Sequence, residues 1–189
     1  MVRRGHPKRS ITRDIRTRRP IHPGREGDEF DAMTWPVGMR VRDRMTCGVV
    51  TIAPGALASA AAALMHSRRI RHLPVVRCGG RLIGIVTDRD LRQIVSHPAV
   101  RAKLGKSAAV LDTLTVRDLM TWGVVTVRPD TEIRQAAWLM QELKVDALPV
   151  LEAGRVVGIL TETDVMKAFE EVLSEGRVAK PYRWALGWR

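Results

Sequence analysis

The chain has 189 residues, 45% of them hydrophobic but only 4% aromatic, so any core is built mainly from aliphatic side chains. Its apolar runs are short and broken by Pro or Gly, and its basic N-terminus is not followed by an apolar segment, which argues against a membrane span and a secretory signal. We therefore expect a cytoplasmic globular protein with no membrane contact.

The net charge of +12 is concentrated at the N-terminus, where residues 1–25 hold nine basic side chains against one acidic side chain. Residues 1–40 also carry several Pro and Gly without apolar periodicity, which predicts a disordered basic arm. Such an arm is typical of contact with nucleic acid or another acidic surface. The excess of Arg over Lys throughout the chain fits a coding bias equally well.

An internal duplication is the strongest pattern in the chain. Residues 41–76 match residues 116–151 without gaps at 17 of 36 positions. The boundaries that follow are an arm at 1–40, a first repeat at 41–100, a linker at 101–115, a second repeat at 116–173 and a tail at 174–189. The tail is rich in aromatic residues and is expected either to dock on the body or to be an exposed interaction site.

Each repeat predicts the element order βαββα, which makes the fold class α+β. The first repeat predicts strands at 49–52, 73–76 and 82–86 and helices at 57–69 and 88–95, with a Gly79-Gly80 turn between the last two strands. The second repeat predicts strands at 124–127, 147–151 and 156–160 and helices at 130–144 and 162–173. One such sheet cannot cover its own open face. Two repeats packed with pseudo-twofold symmetry would bury both faces and leave two clefts.

A Gly-x-x-Thr-x-x-Asp motif ends each repeat, and in both copies it lies where the last strand runs into the last helix. The unpaired N–H groups of a helix start favour phosphate, and a carboxylate one turn later can accept from ribose hydroxyls. Thr87 with Asp90, and Thr161 with Asp164, therefore suit a bound nucleoside phosphate. Thr-x-x-Asp is also a helix capping box, and on one copy alone capping is the better interpretation.

Taken together, four features resemble the cystathionine-β-synthase (CBS) domain. They are the βαββα repeat, the Met-Thr before the first strand, the Leu-Pro-Val strand and the Gly-x-x-Thr-x-x-Asp motif. A tandem pair is a Bateman module, and the resemblance covers about residues 41–173. It implies a non-catalytic regulatory homodimer that binds AMP, ADP, ATP or S-adenosylmethionine and acts on a protein partner the sequence does not identify. It also implies that Thr87, Asp90, Thr161 and Asp164 contact ribose and phosphate.

The resemblance further implies that adenine meets the backbone of the first strand of each repeat. The matching residues here are Val50, Thr51, Val125 and Thr126. Trp122 stands where the first repeat has Cys47, and it would either stack on a base or serve in packing.

Basic residues occur beside the motif only in the first repeat. Arg71 and His72 precede its Leu-Pro-Val, where some family members place cations against phosphates, and Arg89 precedes Asp90. The second repeat has Asp146 and Ala147 at the corresponding place. We expect a phosphate-bearing ligand to prefer the first cleft, unless these cations are only solvated surface charges.

No catalytic or metal-binding set is recognisable in the sequence. The Ser and His residues lack the partners and spacing that nucleophilic or metal sites need, and Cys47 and Cys78 are expected to be free thiols. We expect no enzyme activity and no cofactor beyond the regulatory ligand. Two alternatives remain at this point: a nucleic-acid-binding protein that uses its arm, and a structural dimerisation module with vestigial clefts.

Overall fold

A computed structural model describes residues 38–98 and 108–174. The expectations for residues 1–37 of the arm, residues 101–107 of the linker and residues 175–189 of the tail lie outside the described residues.

The elements alternate as the repeat pattern predicts. In the first repeat they are β1 (Thr46–Cys47), α1 (Ala58–Arg68), β2 (His72–Arg77), β3 (Arg81–Thr87) and α2 (Asp88–Ser96), after a 3-10 turn at Val41–Asp43. In the second repeat they are α3 (Val116–Leu119), β4 (Thr121–Trp122), α4 (Ile133–Leu143), β5 (Ala147–Glu152), β6 (Arg155–Thr161) and α5 (Glu162–Ser174), after a 3-10 segment at Ala108–Asp112. The predicted hairpins and helices are confirmed, with ends that move by up to three residues. Gly79 and Gly80 supply the positive φ angles, 84° and 78°, that the first hairpin turn requires.

The strands predicted at 49–52 and 124–127 are wrong as full strands. Each stretch makes a single parallel bridge, Ile52 with Val75 and Val127 with Val150. Ile52 donates its N–H to the Pro74 carbonyl at 3.1 Å and accepts from the Val76 N–H at 3.0 Å. β-branched composition correctly marks extended chain here, but only one residue of each stretch joins a ladder.

The leading segment of each repeat pairs with the hairpin of the other repeat. β1 runs antiparallel to β6, with Thr46 opposite Ile159, and β4 runs antiparallel to β3, with Thr121 opposite Ile85. The two hairpins also meet directly where Arg81 lies opposite Arg155. The sheet is therefore continuous through both repeats, although each half is short.

The core follows the same exchange. Val41, at the start of the first repeat, is fully buried among second-repeat residues such as Ile133 and Leu160. In return, Val116 and Met120 pack with α1 and the first hairpin. A third cluster fills the space between the hairpins and consists of Leu82, Ile85, Val124, Ala147 and Ile159. This cluster draws its members from both repeats, as the packing of two repeats predicts.

Candidate functional site

The candidate site of each repeat is the junction at which the last strand becomes the last helix. In the first repeat, the N–H and the hydroxyl of Thr87 both donate to Oδ2 of Asp90, at 2.8 and 2.7 Å. The Asp90 N–H returns a bond of 3.3 Å to the Thr87 hydroxyl. We call this junction, with the space in front of it, the first cleft.

The second repeat reproduces this geometry closely. Thr161 donates its N–H and hydroxyl to Oδ2 of Asp164 at 2.9 and 2.6 Å, and the Asp164 N–H lies 3.4 Å from the Thr161 hydroxyl. Both junctions therefore form the capping box, which is one of the two interpretations of Thr-x-x-Asp that the sequence allows. Because the cap uses Oδ2 of each aspartate, it does not engage the other carboxylate oxygen. We call this junction the second cleft.

A third Thr-x-x-Asp shows that the pattern alone does not define a cleft. Thr115 donates its N–H and hydroxyl to Oδ2 of Asp118 at 2.8 and 2.6 Å, at the start of α3. These bonds hold the pKa of Asp118 below its usual value, and the bond from the Thr115 hydroxyl has the largest effect. This box lacks the preceding Gly-containing strand, so it separates the capping role from any ligand role.

His72 joins the first cleft to the second repeat. In the β2–β3 ladder His72 lies opposite Thr87, so the imidazole stands beside the junction. Its Nε2 is 3.1 Å from Oδ1 of Asp146, and the His72 side chain is only 8% exposed whereas that of Asp146 is 52% exposed. Burial opposes ionisation of Asp146, but the His72 imidazole and the nearby Arg89 outweigh it, so the pKa of Asp146 is lowered.

The three predicted cations do not converge on one point. His72 and Arg89 both act on Asp146, whereas the exposed Arg71 lines a groove of about 770 Å³ between α1 and α2. Arg92 and Asp88 also line that groove and form an ion pair at 2.7 Å. The carbonyl of Arg71 nevertheless accepts the Asp88 N–H at 3.0 Å, so its backbone belongs to the first junction.

The residues expected to meet adenine lie beside the two parallel bridges. Val50, Thr51 and Val125 are half-buried, and Thr126 is buried, with 8% of its surface exposed. Trp122 lies opposite Gly84 in the β3–β4 ladder, which puts it next to the first cleft. The residue is 41% exposed, and the Arg117 guanidinium lies 5.8 Å from the centroid of its ring.

The contact of Asp146 with His72 is not predicted by the sequence, in which Asp146 only stands where the first repeat has a basic residue. The charge difference between the corresponding positions of the two repeats was the available signal. In the alignment of the two repeats Asp146 matches Arg71 and Ala147 matches His72, so the contact joins positions that are offset by one residue, and the sequence carries only the difference in charge.

The family model of the CBS domain matches residues 41–97 and again residues 116–171. The chain belongs to the CBS domain family. Among solved CBS structures, CBSX2 in complex with AMP is 31% identical, with a TM-score of 0.61 over 71% of this chain and 99% of that chain. The CBS domain pair of protein MJ0100, in complex with 5′-methylthioadenosine and S-adenosyl-L-methionine, is 27% identical, with a TM-score of 0.58 over 70% and 97% of the two chains.

Some CBS relatives are much longer proteins. The homoserine O-acetyltransferase of Methanohalobium evestigatum is 33% identical over 132 residues, which are 69% of this chain but 24% of that protein. The chain thus spans about a quarter of the length of this relative. Proteins built from CBS domain pairs are typically regulatory.

Within residues 38–98 and 108–174, no three or more His, Cys, Asp and Glu side chains are grouped so that they could hold a metal ion. None of the helices in these ranges has the length and apolar character needed to cross a membrane.

Proposed function

We propose that this CBS pair is a regulatory sensor that binds an adenosine-containing ligand, such as AMP, ADP, ATP or S-adenosylmethionine. The observation that carries the proposal is the matched Thr-Asp geometry at the two junctions, Thr87 with Asp90 and Thr161 with Asp164. Complexes of CBSX2 with AMP, and of the MJ0100 pair with two adenosine compounds, support it.

In the proposed complex, the ribose hydroxyls donate to the Asp90 or Asp164 carboxylate oxygen that the cap leaves unused. The half-buried Thr51 and the buried Thr126 belong to the extended segments that border the base. In the first cleft the 5′ end of the ligand points towards His72 and Arg89. The second cleft has Glu162 and Thr163 at its helix start, so the two clefts differ in charge although their Thr-Asp geometry is the same.

The signal is proposed to pass through a homodimer to a protein partner. A ligand can transmit a signal only if it prefers one arrangement of the molecule over another. Three large apolar side chains on α4 and α5, Trp138, Leu143 and Met166, are 45%, 44% and 59% exposed, which supports association through these helices. In this proposal the protein regulates and does not catalyse.

Thermal unfolding of the full chain tests the function. AMP, ADP, ATP, S-adenosylmethionine and adenosine are compared with guanosine and GMP at equal ionic strength. A ligand present at 100 times its dissociation constant stabilises by about 2.7 kcal/mol, which shifts the midpoint by several degrees. A shift with at least one adenosine compound is expected, and no shift with any of them contradicts the proposal.

A further inference from the structure

Two basic side chains of the first cleft lie near a carboxylate from the other repeat. Asp146 lies 3.1 Å from His72, and Arg89 is near enough to act on it electrostatically. His72 is almost fully buried, so its ring has little freedom to turn towards another anion. The backbone of Asp146 is held at the second junction, because its carbonyl accepts the Glu162 N–H at 3.0 Å, and only its side chain reaches the first cleft.

The charge balance of this group differs from that of a phosphate site. Arg89 and Asp146 cancel, so the group of three is neutral with a neutral imidazole and carries +1 with a protonated one. A phosphate at the 5′ end of a ligand would compete with the Asp146 carboxylate for the same imidazole nitrogen. A 5′ group that is uncharged or cationic does not compete with Asp146 for this nitrogen.

We propose that Asp146 is a specificity-determining residue of the first cleft, which disfavours a 5′-phosphate and favours adenosine ligands whose 5′ group is uncharged or cationic. This inference rests on the proposed function, since it concerns the 5′ end of an adenosine ligand bound at Thr87 and Asp90. It also reverses the preference expected from the Arg and His residues alone, because the opposing carboxylate comes from a residue 74 positions away in the chain.

Calorimetric titration of the full chain with adenosine and with AMP tests the proposal. The variant is Asp146→Asn, which keeps the size and the hydrogen-bonding oxygen of the side chain but removes its charge. The control is Asp130→Asn, which removes one charge from an exposed aspartate of the same repeat that pairs with Arg128 instead. Asp146→Ser is a second variant that no longer reaches His72.

Removing one negative charge a few ångströms from the phosphate, in a half-exposed site, should raise the affinity for AMP about three- to tenfold. The affinity for adenosine should change less than twofold, and Asp130→Asn should change neither. If adenosine binds the wild type but Asp146→Asn and Asp146→Ser leave the AMP-to-adenosine ratio unchanged, the role of Asp146 is overturned and the adenosine site stands. If Asp130→Asn changes the AMP-to-adenosine ratio as much as Asp146→Asn does, the role of Asp146 is also overturned. Failure of all the proteins to bind either compound overturns both proposals.

Discussion

Met120 occupies the space beside Gly84 in which any other residue would need its Cβ. A Cβ built on Gly84 would lie 2.7 Å from the sulfur of Met120 and 2.9 Å from the carbonyl oxygen of Thr121. The second repeat repeats the arrangement, with the sulfur of Met45 2.5 Å from a Cβ on Gly158. The glycine of the motif is therefore required for the close approach of the leading segment that crosses over from the other repeat.

Gly84→Ala should destabilise the protein by about 1–3 kcal/mol, because the clash involves backbone as well as a flexible side chain. Gly158→Ala should cost less, since the Thr46 carbonyl is farther away, at 3.3 Å, and the main obstacle is the mobile end of Met45. Urea unfolding measures both. Gly55→Ala is the control, as a Cβ there meets no atom within 4 Å. A loss in Gly55→Ala as large as that in Gly84→Ala would contradict this account.

The three Thr-x-x-Asp capping boxes described above allow stability to be separated from ligand binding. Asp90→Ala, Asp164→Ala and Asp118→Ala each remove one box and should each cost about 0.5–2 kcal/mol of stability. Only the first two should weaken the binding of adenosine, by at least about tenfold at the affected cleft, since each loses the oxygen that accepts from ribose. Unfolding and calorimetric titration of the same samples make the comparison. Equal loss of binding in Asp118→Ala would show that the effect is one of stability.

Arg44 joins the start of the first repeat to the last helix of the second. Its guanidinium donates to both oxygens of Glu171, one of them at 3.1 Å, and its Nε contacts the Met39 sulfur. Both side chains are partly exposed, so we expect a coupling energy of about 0.5–1 kcal/mol from a double-mutant cycle of Arg44→Ala and Glu171→Ala. The coupling should shrink in 1 M NaCl. Arg42→Ala with Glu171→Ala is the control cycle and should show no coupling.

The lowered pKa of Asp146 makes a prediction about acid stability. A carboxyl whose pKa is lower in the folded than in the unfolded state, as that of Asp146 is, stabilises the protein above its unfolded pKa, which is about 3.9. That contribution is lost as the pH falls through the lowered value. Between pH 5 and pH 3, the wild type should therefore lose more stability than Asp146→Asn does.

Urea unfolding at pH 7, 5, 4 and 3 checks this, with Asp112→Asn, another exposed aspartate, as the control. Parallel curves for the wild type and Asp146→Asn across this range would mean that the His72 contact does not contribute to folding stability.

Local pattern predicted the two hairpins well, because Leu-Pro-Val, the turn glycines and the following β-branched run all act within about 15 residues of each other. It also predicted the junctions at Thr87 and Thr161, since a capping box is a local device. The leading strands were misplaced because β1 and β4 are two residues long and their partners lie in the other repeat. No periodicity in residues 46–52 reports a ladder with Gly158 and Ile159.

The candidate site also contains contacts that the local sequence predicts and contacts that depend on tertiary packing. Thr87 and Asp90 meet as their spacing requires, whereas the contact of His72 with Asp146 depends on how the two repeats pack. Arg71 and His72 are neighbours in the chain, but Arg71 precedes β2 and lines the groove between α1 and α2, whereas His72 begins β2 and contacts the second repeat.

The exchange of leading segments has a consequence for how such a molecule can arise. The Val41 N–H donates to the Thr131 carbonyl, and in the matching place the Val116 N–H donates to the Ala56 carbonyl, each at 2.8 Å. A single βαββα unit that carried only its own leading segment would therefore lack the segment that its hairpin pairs with. Its own leading segment would have no hairpin to pair with. It could complete both pairings only by exchanging leading segments with a second copy, as in a domain-swapped dimer. Joining two units in one polypeptide supplies each leading segment at a fixed, high effective concentration and removes the dependence of folding on protein concentration. The covalent duplication thus replaces an encounter between two molecules.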